Sequence, residues 1–422
     1  MSVQAEYERR TPRSASLHER ASRSMPGGNT RTSTHFDPYP VVLDRGAGKT
    51  VWDVDGNEYV DLLYNYTSLV HGHAYPPIVE ALTAALRRGS SWPAASDAQI
   101  ELAELICERV PTVERVRFCN SGTEAAMLAA KLARKITGRE LLVKAHLGYH
   151  GSFEDLETTP AGGVSPRTLV AEFNDPASFE ELLSASGSDI AAVFLEPIMG
   201  SAGIVPPEAE FLARVQAATK AAGAVFVLDE VISLRLSRGG LQEKYGLEPD
   251  LTMMGKIIGG GLPVGALGGS QTLMARFDPT GGGPLIGHAG TFNGNLLTAA
   301  AGIVSLLDLT DERLAHMDGQ GRKLEQTIRR AAASQGLPVF VRREGSLLNV
   351  SFEEPPVAEN DEPDALLRSF HLACMNRGLF IAPRGMIVLP SIMDGDDLRE
   401  IGERFERALS DVVADRELIE AF

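Results

Sequence analysis

The sequence is poor in cysteine, with only Cys107, Cys119 and Cys374 among its 422 residues. An odd number of cysteines without paired spacing does not form a disulfide framework, so we expect reduced thiols and a cytoplasmic location. Apolar runs of about 20 residues, which a transmembrane helix needs, are also missing. Residues 1–23 are polar and lack the apolar core of a signal peptide. These absences favour a globular protein outside the membrane.

Positive charge is also in short supply, because the formal net charge is −16 at pH 7. Proteins that bind DNA or RNA carry basic patches that neutralise phosphates, so we expect no nucleic-acid partner. The chain does contain 44% hydrophobic residues, which is enough for a large buried core. At about 150 residues per domain, two or three domains are expected.

The middle of the chain alternates short apolar segments with helical stretches. This alternation is typical of α/β proteins in which helices cover both faces of a mostly parallel sheet. The predicted strands are 116–119, 141–143, 191–195, 224–228 and 251–254.

The two ends of the chain have a different pattern. Residues 41–62 indicate a β-meander with a first strand at 41–43 and a turn at Gly46–Gly48. The C-terminal part mixes strands with an amphipathic helix at 396–414. We therefore predict that both ends fold together as a small α+β domain beside a large α/β domain. The predicted parts are 1–69 (N-terminal segment with the meander), 70–310 (large domain) and 311–422 (C-terminal part of the small domain).

An acid and a lysine follow two successive predicted strands. The apolar run 224–228 ends at Asp229, and Lys256 lies between the apolar segment 251–254 and the glycines 259–261. Alone, Asp229 would more often be a cap or surface acid, and Lys256 a solvated lysine. In a parallel sheet both would lie at the edge where such folds bind ligands. A lysine can hold the aldehyde of pyridoxal phosphate (PLP) while a carboxylate keeps its ring nitrogen protonated, so the pair predicts PLP chemistry.

The segment Asn120–Glu124 follows a predicted strand and begins a helix. By itself it is more simply an ordinary N-cap with an acid in the first turn. Together with the lysine, we interpret Ser121, Gly122 and Thr123 as a phosphate site. Backbone N–H groups and two hydroxyls would surround an anion at the positive end of the helix.

Three other features of the sequence each allow more than one interpretation. Gly46–Thr50 resembles the end of a nucleotide-binding loop, but that motif requires a glycine where Leu43 stands, so we interpret it as a turn. His146 and His150 have the spacing of zinc ligands without the intervening glutamate of metalloproteases, so we expect no metal. Tyr149 lies between glycines and is either a half-buried core residue or a stacking partner for a flat cofactor ring.

Five motifs are spread along the chain: Asn120–Glu124, Leu195–Pro197, Asp229–Val231, Gly255–Gly261 and Gly290–Asn293. Together they resemble the class III (ω-type) aminotransferases of PLP fold type I over nearly the whole sequence. Within that class the sequence is similar to the branch that contains glutamate-1-semialdehyde aminomutase and the β-amino-acid (β-phenylalanine-type) aminotransferases.

The resemblance implies a homodimer with shared active sites and a role for each matching residue. Lys256 would bind the cofactor covalently and shuttle the proton, and Asp229 would pair with the ring nitrogen. The other implied cofactor residues are Ser121, Gly122 and Thr123 at the phosphate, Thr291 at the phosphate of the neighbouring subunit, Tyr149 and Val231 on the two ring faces, and Glu196 near the site in an unassigned role.

Two arginines bear on the substrate. Arg31, in the segment Met25–Arg31, is similar to the arginine with which β-amino-acid aminotransferases bind the substrate carboxylate. Arg384, in Ala382–Gly385, is similar to the arginine that receives the second carboxylate of 2-oxoglutarate. Alone, each would more often be a solvated surface residue, although a planar guanidinium suits a carboxylate well.

We predict a ping-pong aminotransferase that moves the amino group of a β-amino acid, aromatic and β-phenylalanine-like, to 2-oxoglutarate or pyruvate. Tyr66, with Tyr64 and His73, would suit an aromatic substrate if these rings line the pocket, but they could equally be packing residues. The sequence motif Ser233–Arg235 departs from the usual Thr-Gly-Phe of the class. The substrate of any one relative therefore cannot simply be assigned to this chain.

Three alternatives remain open. Glutamate-1-semialdehyde 2,1-aminomutase shares the motif Gly259–Gly265, but its members resemble Ala-Pro-Ser at positions 382–384, and it needs no site for an external keto acid. A D-α-amino-acid aminotransferase of the same branch is the second. A protein of this fold that has lost catalysis is disfavoured because Asp229 and Lys256 are both present.

Overall fold

The computed structural model describes residues 2–157, 164–280, 283–354 and 365–420. Its helices are α1 Val3–Arg10, α2 Pro12–Ser22, α3 Tyr64–Thr67, α4 Pro76–Arg88, α5 Asp97–Arg109, α6 Gly122–Thr137, α7 Pro176–Ser186, α8 Phe211–Ala221, α9 Leu241–Tyr245, α10 Gln271–Met274, α11 Leu296–Asp308, α12 Asp311–Ser334, α13 Ala365–Asn376 and α14 Gly395–Glu420. Its strands are β1 Leu43–Ala47, β2 Thr50–Asp53, β3 Glu58–Asp61, β4 Arg115–Cys119, β5 Leu141–Ala145, β6 Thr168–Ala171, β7 Ile190–Leu195, β8 Val225–Asp229, β9 Leu251–Gly255, β10 Gly265–Gly269, β11 Phe340–Glu344, β12 Leu347–Ser351, β13 Leu379–Phe380 and β14 Met386–Val388. The predicted α/β class is confirmed.

A seven-stranded sheet forms the centre, with the strand order β4-β10-β9-β8-β7-β5-β6. The neighbouring pairs from β9 to β6 are parallel, whereas β10 is antiparallel to both β4 and β9. The prediction of a mostly parallel sheet is therefore confirmed. Strands β6 and β10 were not predicted from the sequence, and for β10 the reason is its three glycines, which are uncommon in strands.

Helices cover both faces of this sheet, and the side chains of β8 show how. Val225 and Val227 pack with the buried alanines of α6, while Phe226 and Leu228 pack with α7 and α8 on the opposite face. Successive side chains of a strand point to opposite faces, so a strand that is buried on both sides is apolar throughout.

The two chain ends are joined by smaller sheets. Strand β13 pairs in parallel with β3 in the four-stranded sheet β1-β2-β3-β13, and β11, β12 and β14 form a third sheet. The backbone N–H of Val3 also donates to Asp415 Oδ1 at 3.0 Å, which ties α1 to α14. The contacts agree with a unit built from both ends, but the predicted boundaries at 70 and 310 stay predictions.

The β-meander is present, but its first strand was predicted too early in the chain. It was expected at 41–43 with a turn at Gly46–Gly48, whereas β1 continues to Ala47, which pairs with Thr50. The register places the turn at Gly48 and Lys49, and Gly48 has the positive φ of 54° that such a tight turn favours. This segment is a β-hairpin and does not precede a helix. It is therefore a turn, as predicted, and not a nucleotide-binding loop.

No helix in the described part of the chain is both long and apolar enough to cross a membrane.

Candidate active site

The acid and the lysine lie side by side at one edge of the central sheet. Asp229 is the last residue of β8, and Lys256 directly follows Gly255 at the end of β9, the parallel neighbour of β8. Both line a cavity of about 570 Å³. Lys256 has a φ of 49°, a left-handed value that is unfavourable for any residue with a Cβ. Such strained backbone conformations are often found at functional positions.

Asp229 is held rigidly by its neighbours and is only 6% exposed. Its Oδ1 accepts a hydrogen bond from the backbone N–H of Val231 at 3.0 Å. Its Oδ2 lies 2.8 Å from Nδ1 of the buried His150. Burial lowers the pKa of His150, so its ring is neutral at physiological pH and Nδ1 must donate to the carboxylate. Asp229 also lines the cavity, so its remaining lone pairs can accept a hydrogen bond from the ring N–H of a cofactor bound there.

Sequence reasoning missed the part that His150 plays, because it considered this residue only as a zinc ligand with His146. The structure separates the pair: His146 lies at the surface, 3.5 Å from Glu172, while His150 contacts Asp229. The available signal was the position of His150 directly after Tyr149, on a loop that follows β5 at the same sheet edge.

The predicted phosphate residues form the start of α6 and line the same cavity. Ser121 is the N-cap, and its Oγ accepts from the Glu124 N–H at 3.1 Å, so the simpler N-cap interpretation is also correct. The first N–H groups of a helix have no partner within the helix, so those of Gly122 and Thr123 are suited to bind an anion in the cavity. Gly151 fits closely here, since a Cβ on it would lie 2.3 Å from Thr123 Oγ1.

Tyr149 and Val231 both line the cavity, as the stacking prediction requires. Tyr149 is 41% exposed, which favours a stacking surface over a core position. Its backbone N–H donates to Glu196 Oε1 at 2.9 Å. An amine, a carboxylate, a helix N-terminus and an exposed ring thus surround one space, and this set of groups fits PLP.

Glu196, for which the sequence assigned no role, is a buried acid of the cavity wall. Its Oε2 accepts from the Gly200 N–H at 3.0 Å, so the side chain fixes both the Tyr149 loop and the turn after β7. Burial, and then the nearby Asp229, raise the pKa of Glu196 to about 8. The carboxyl is therefore mostly protonated at neutral pH in the protein alone.

The predicted substrate residues Arg31, Tyr66 and Arg384 line the cavity as well. Arg31 Nη1 donates to Asn65 Oδ1 at 2.5 Å, and its guanidinium carbon lies 4.9 Å from the centroid of the Tyr66 ring. The loop of Arg384 is fixed by Asn349, whose Nδ2 donates to the Arg384 carbonyl at 2.8 Å. Both arginines thus line the same cavity as Lys256.

Four other aromatic or polar candidates lie elsewhere. Tyr64 is fully buried, and neither it nor His73 is a wall residue of the cavity, so both are packing residues. Arg235 is also fully buried, behind the cavity wall. Thr291 is exposed and does not line this chain's own cavity, and its assignment to a neighbouring subunit stays a prediction.

Comparison with known proteins gives consistent matches over nearly the whole chain. The profile of the family described as aminotransferase class-III matches residues 32–409. Among solved structures, an omega-transaminase from Sphaerobacter thermophilus has a TM-score of 0.90 at 39% identity, covering 94% of this chain and 97% of that one. A β-phenylalanine aminotransferase from Variovorax paradoxus has a TM-score of 0.89 at 34% identity, covering 95% of each chain. A glutamate-1-semialdehyde 2,1-aminomutase of Aquifex aeolicus is 37% identical, covering 87% of this chain and 92% of the relative.

Proposed function

Because the chain belongs to the class-III aminotransferases, we propose that it moves the amino group of an aromatic, β-phenylalanine-like β-amino acid to 2-oxoglutarate or pyruvate. The observation that carries this proposal is that Arg31 and Arg384 line the same cavity as Lys256. One guanidinium suits the carboxylate of the donor, and two suit an acceptor with two carboxylates.

The coarser assignment does not depend on these arginines. The protein is a PLP-dependent transaminase of fold type I, which exchanges an amino group between a donor and a keto acid. PLP supplies a protonated ring that withdraws electrons and makes the proton on the donor's amino-bearing carbon acidic. We propose that the two substrates react in turn, by a ping-pong mechanism.

Each residue of the cavity then has a task in this chemistry. Lys256 Nζ would hold the aldehyde carbon of the cofactor, and its amine would remove and return the donor's proton as base and acid. Asp229 would accept the ring N–H of the cofactor, and His150 holds the Asp229 carboxylate in place. Gly122 and Thr123 would donate N–H groups to the phosphate, beside the hydroxyl of Ser121. Tyr149 and Val231 would pack against the two faces of the cofactor ring.

The donor carboxylate is assigned to Arg31. Its partners Asn65 and Tyr66 hold the guanidinium at the rim of the cavity, and the Tyr66 hydroxyl donates in turn to the Ser33 carbonyl. The ring of Tyr66 provides an apolar surface for an aromatic donor. Arg384 is assigned to the second carboxylate of 2-oxoglutarate.

The runner-up is glutamate-1-semialdehyde 2,1-aminomutase, which the similarity to the Aquifex aeolicus protein favours. That reaction moves an amino group within one skeleton and requires no second carboxylate site. A D-α-amino-acid aminotransferase would use the same two arginines and is the third candidate.

One assay separates these reactions. The purified holoenzyme is incubated with β-phenylalanine and either 2-oxoglutarate or pyruvate, and formation of glutamate or alanine is followed. Product from a β-amino acid is expected. Failure with every β-amino acid together with 5-aminolevulinate formed from glutamate-1-semialdehyde would show that the mutase assignment is correct instead. Product from D-phenylglycine alone would favour the third candidate.

We also propose a homodimer in which Thr291 reaches the phosphate site of the partner. Thr291 is exposed beside Phe292, whose side chain is 59% exposed. The same loop is tied to its own phosphate segment, because Asn120 Nδ2 donates to Asn293 Oδ1 at 2.7 Å. A second copy would cover the apolar ring that is otherwise left in water.

The dimer is tested by light scattering on the substitution Phe292→Asp. Dissociation and loss of bound PLP are expected, because a charge would have to be buried at the interface. The matched control is Phe340→Asp, an exposed phenylalanine on β11 (38% exposed), which should leave mass and cofactor content unchanged. A Phe292→Asp protein of unchanged mass would contradict the proposal.

A further inference from the structure

The short helix α3 is left-handed, a conformation that is unfavourable for residues other than glycine. Tyr64, Asn65, Tyr66 and Thr67 have φ values of 48°, 48°, 53° and 78°, which makes this segment a left-handed turn. Each of these residues carries a Cβ, so each one disfavours that conformation. A run of four therefore needs strong external support, and such strain is usually kept where the surrounding structure and the function require it.

The beginning of the turn is held by a carboxylate. Asp61 Oδ1 accepts from the N–H groups of Leu63 at 2.7 Å and Tyr64 at 2.9 Å. His73 Nε2 lies 2.6 Å from the other oxygen of Asp61 and fixes its orientation. The beginning of the turn is thus anchored to the end of β3.

The end of the turn is held by Arg235, whose side chain is fully buried. Its Nη1 donates to the Thr67 carbonyl at 3.3 Å, and its Nη2 donates to the carbonyl of Leu389. Burial lowers the pKa of Arg235 to about 9, and Tyr64, rather than a carboxylate, is the ionisable neighbour that counteracts this shift. A buried guanidinium that is bound mainly by carbonyls is unfavourable for folding, so packing alone does not explain an arginine here.

The two tip residues of the turn are the partners of Arg31. Asn65 accepts its Nη1 hydrogen bond, and the Tyr66 ring lies beneath its guanidinium. Asn65, Tyr66 and Arg31 all line the cavity, whereas Arg235 stands behind it. A change in the turn would therefore displace the guanidinium while Lys256 and Asp229, on the central sheet, remained in place.

We propose that Arg235 is a positioning residue for substrate binding, which locks the left-handed turn Tyr64–Thr67 and through it sets the direction of Arg31. This inference rests on the proposed function, because it takes the donor carboxylate as the ligand of Arg31. It also gives the Ser233–Arg235 segment, which departs from its class, a specific task in donor recognition.

The test compares Arg235→Met with Arg238→Met in the holoenzyme. Arg238 is a half-exposed arginine on the same segment that reaches Glu108 at 3.4 Å, outside the cavity. For Arg235→Met we expect KM for the amino donor to rise about tenfold or more, with kcat changed about threefold or less, since only carboxylate binding is impaired. Arg238→Met should have wild-type constants.

A second measurement does not depend on turnover. Hydrogen–deuterium exchange should show lost protection of the amides of residues 64–69 in Arg235→Met, with the peptides of β8 and β9 unchanged. Arg235→Lys keeps the charge and can still donate to one or both carbonyls, so it should recover part of the KM and of the protection. If Arg235→Met does not fold, the Lys variant carries both measurements, with smaller changes in the same direction.

The outcomes distinguish this inference from the proposed function. If Arg31→Ala raises KM and Arg235→Met changes neither KM nor exchange, only the role of Arg235 is wrong. If Arg235→Met lowers kcat, loses bound cofactor and raises KM all together, Arg235 is merely structural and the inference is also overturned. If Arg31→Ala leaves KM unchanged while residues 64–69 still lose protection in Arg235→Met, the assignment of Arg31 is wrong but the lock on the turn stands.

Discussion

The cofactor side and the carboxylate side of the cavity are built from different kinds of structure. Asp229, Lys256 and the phosphate residues lie at the ends of strands in one rigid sheet. Arg31, the turn Tyr64–Thr67 and Arg384 lie on short segments from the two ends of the chain, held by side-chain hydrogen bonds. In the proposed function, the chemistry that must be placed accurately is therefore on the sheet, while substrate recognition is on parts that can change without disturbing it. Variants on the sheet side should lower kcat with every donor, and variants on the other side should change KM.

Replacing the lysine is the strongest test of the sheet side. Lys256→Ala should lower kcat by about 10³-fold or more, because both the covalent link and the acid–base group are lost. Turnover with a saturating donor is measured, and the exposed Lys323→Ala on α12 is the matched control. Substantial remaining turnover would show that another group moves the proton.

Replacing the acid should have the next largest effect. Asp229→Asn keeps the shape but removes the charge that stabilises the ring N–H, and kcat should fall about 10²- to 10³-fold with all donors. His150→Asn should have a smaller effect, about tenfold, because it only loosens Asp229. Steady-state kinetics with two different donors checks both. A fall that depends on the donor would contradict the division between the two sides.

On the carboxylate side, Arg31→Ala should raise KM for the amino donor about 10- to 100-fold at nearly constant kcat, through loss of a charged hydrogen-bonded pair. Arg31→Lys should recover only part of the affinity, because an ammonium cannot bind the carboxylate with a planar fork. The measurement is KM with the acceptor held at saturation. A change in kcat alone would place Arg31 on the chemical side of the comparison.

Arg384→Ala should separate the two acceptors. KM for 2-oxoglutarate should rise about tenfold, because its second carboxylate loses its partner, while KM for pyruvate should not change. Pyruvate is therefore the internal control of this experiment. Equal effects on both acceptors would mean that Arg384 has another role, such as support of its own loop.

Replacing Glu196 should have an effect on the stability of the folded protein. In the folded protein its pKa is raised to about 8, whereas the unfolded chain has the usual value of 4.5. Between these values the folded state holds a proton that the unfolded state releases, so this acid lowers stability as pH rises through the window. Relative to wild type, Glu196→Gln apoenzyme should gain stability, by up to a few kcal/mol, from about pH 5 to about pH 8. Denaturant unfolding at both pH values measures it, and a constant difference would contradict the raised pKa.

The sheet side could be predicted well from sequence, because its signals are local. Asp229 and Lys256 each follow an apolar strand, and Ser121 begins a helix, so strand order alone brings them to one edge. PLP chemistry followed from these few positions, whereas the class of reaction was predicted from the resemblance of five motifs to the class III aminotransferases. His150 was missed because its partner Asp229 is distant in the sequence, and no local pattern shows that contact.

The carboxylate side was harder for a physical reason. Nothing in the letters Tyr-Asn-Tyr-Thr indicates a left-handed turn, since none of the four is glycine and the conformation depends on Asp61 and Arg235. Tertiary contacts override local preference here, so the sequence alone does not decide whether Tyr64 lines the pocket or packs in the core. Arg31 and Arg384 were found through resemblance, because isolated arginines carry little pattern of their own.

Strand β10, which was not predicted because of its glycines, sets the separation between two segments of the candidate site. Gly265 is paired with Cys119 on one side and with Gly255 on the other. These two residues lie just before the phosphate segment and just before Lys256. The backbones that lead into the phosphate segment and into Lys256 are therefore two strand spacings apart, about 9.6 Å across the sheet. A Cβ at Gly265 would lie 1.9 Å from the Ser121 carbonyl oxygen, so no larger residue fits at this position unless the backbone shifts. The spacing of strands in the sheet thus sets how far apart these two segments of the candidate site lie.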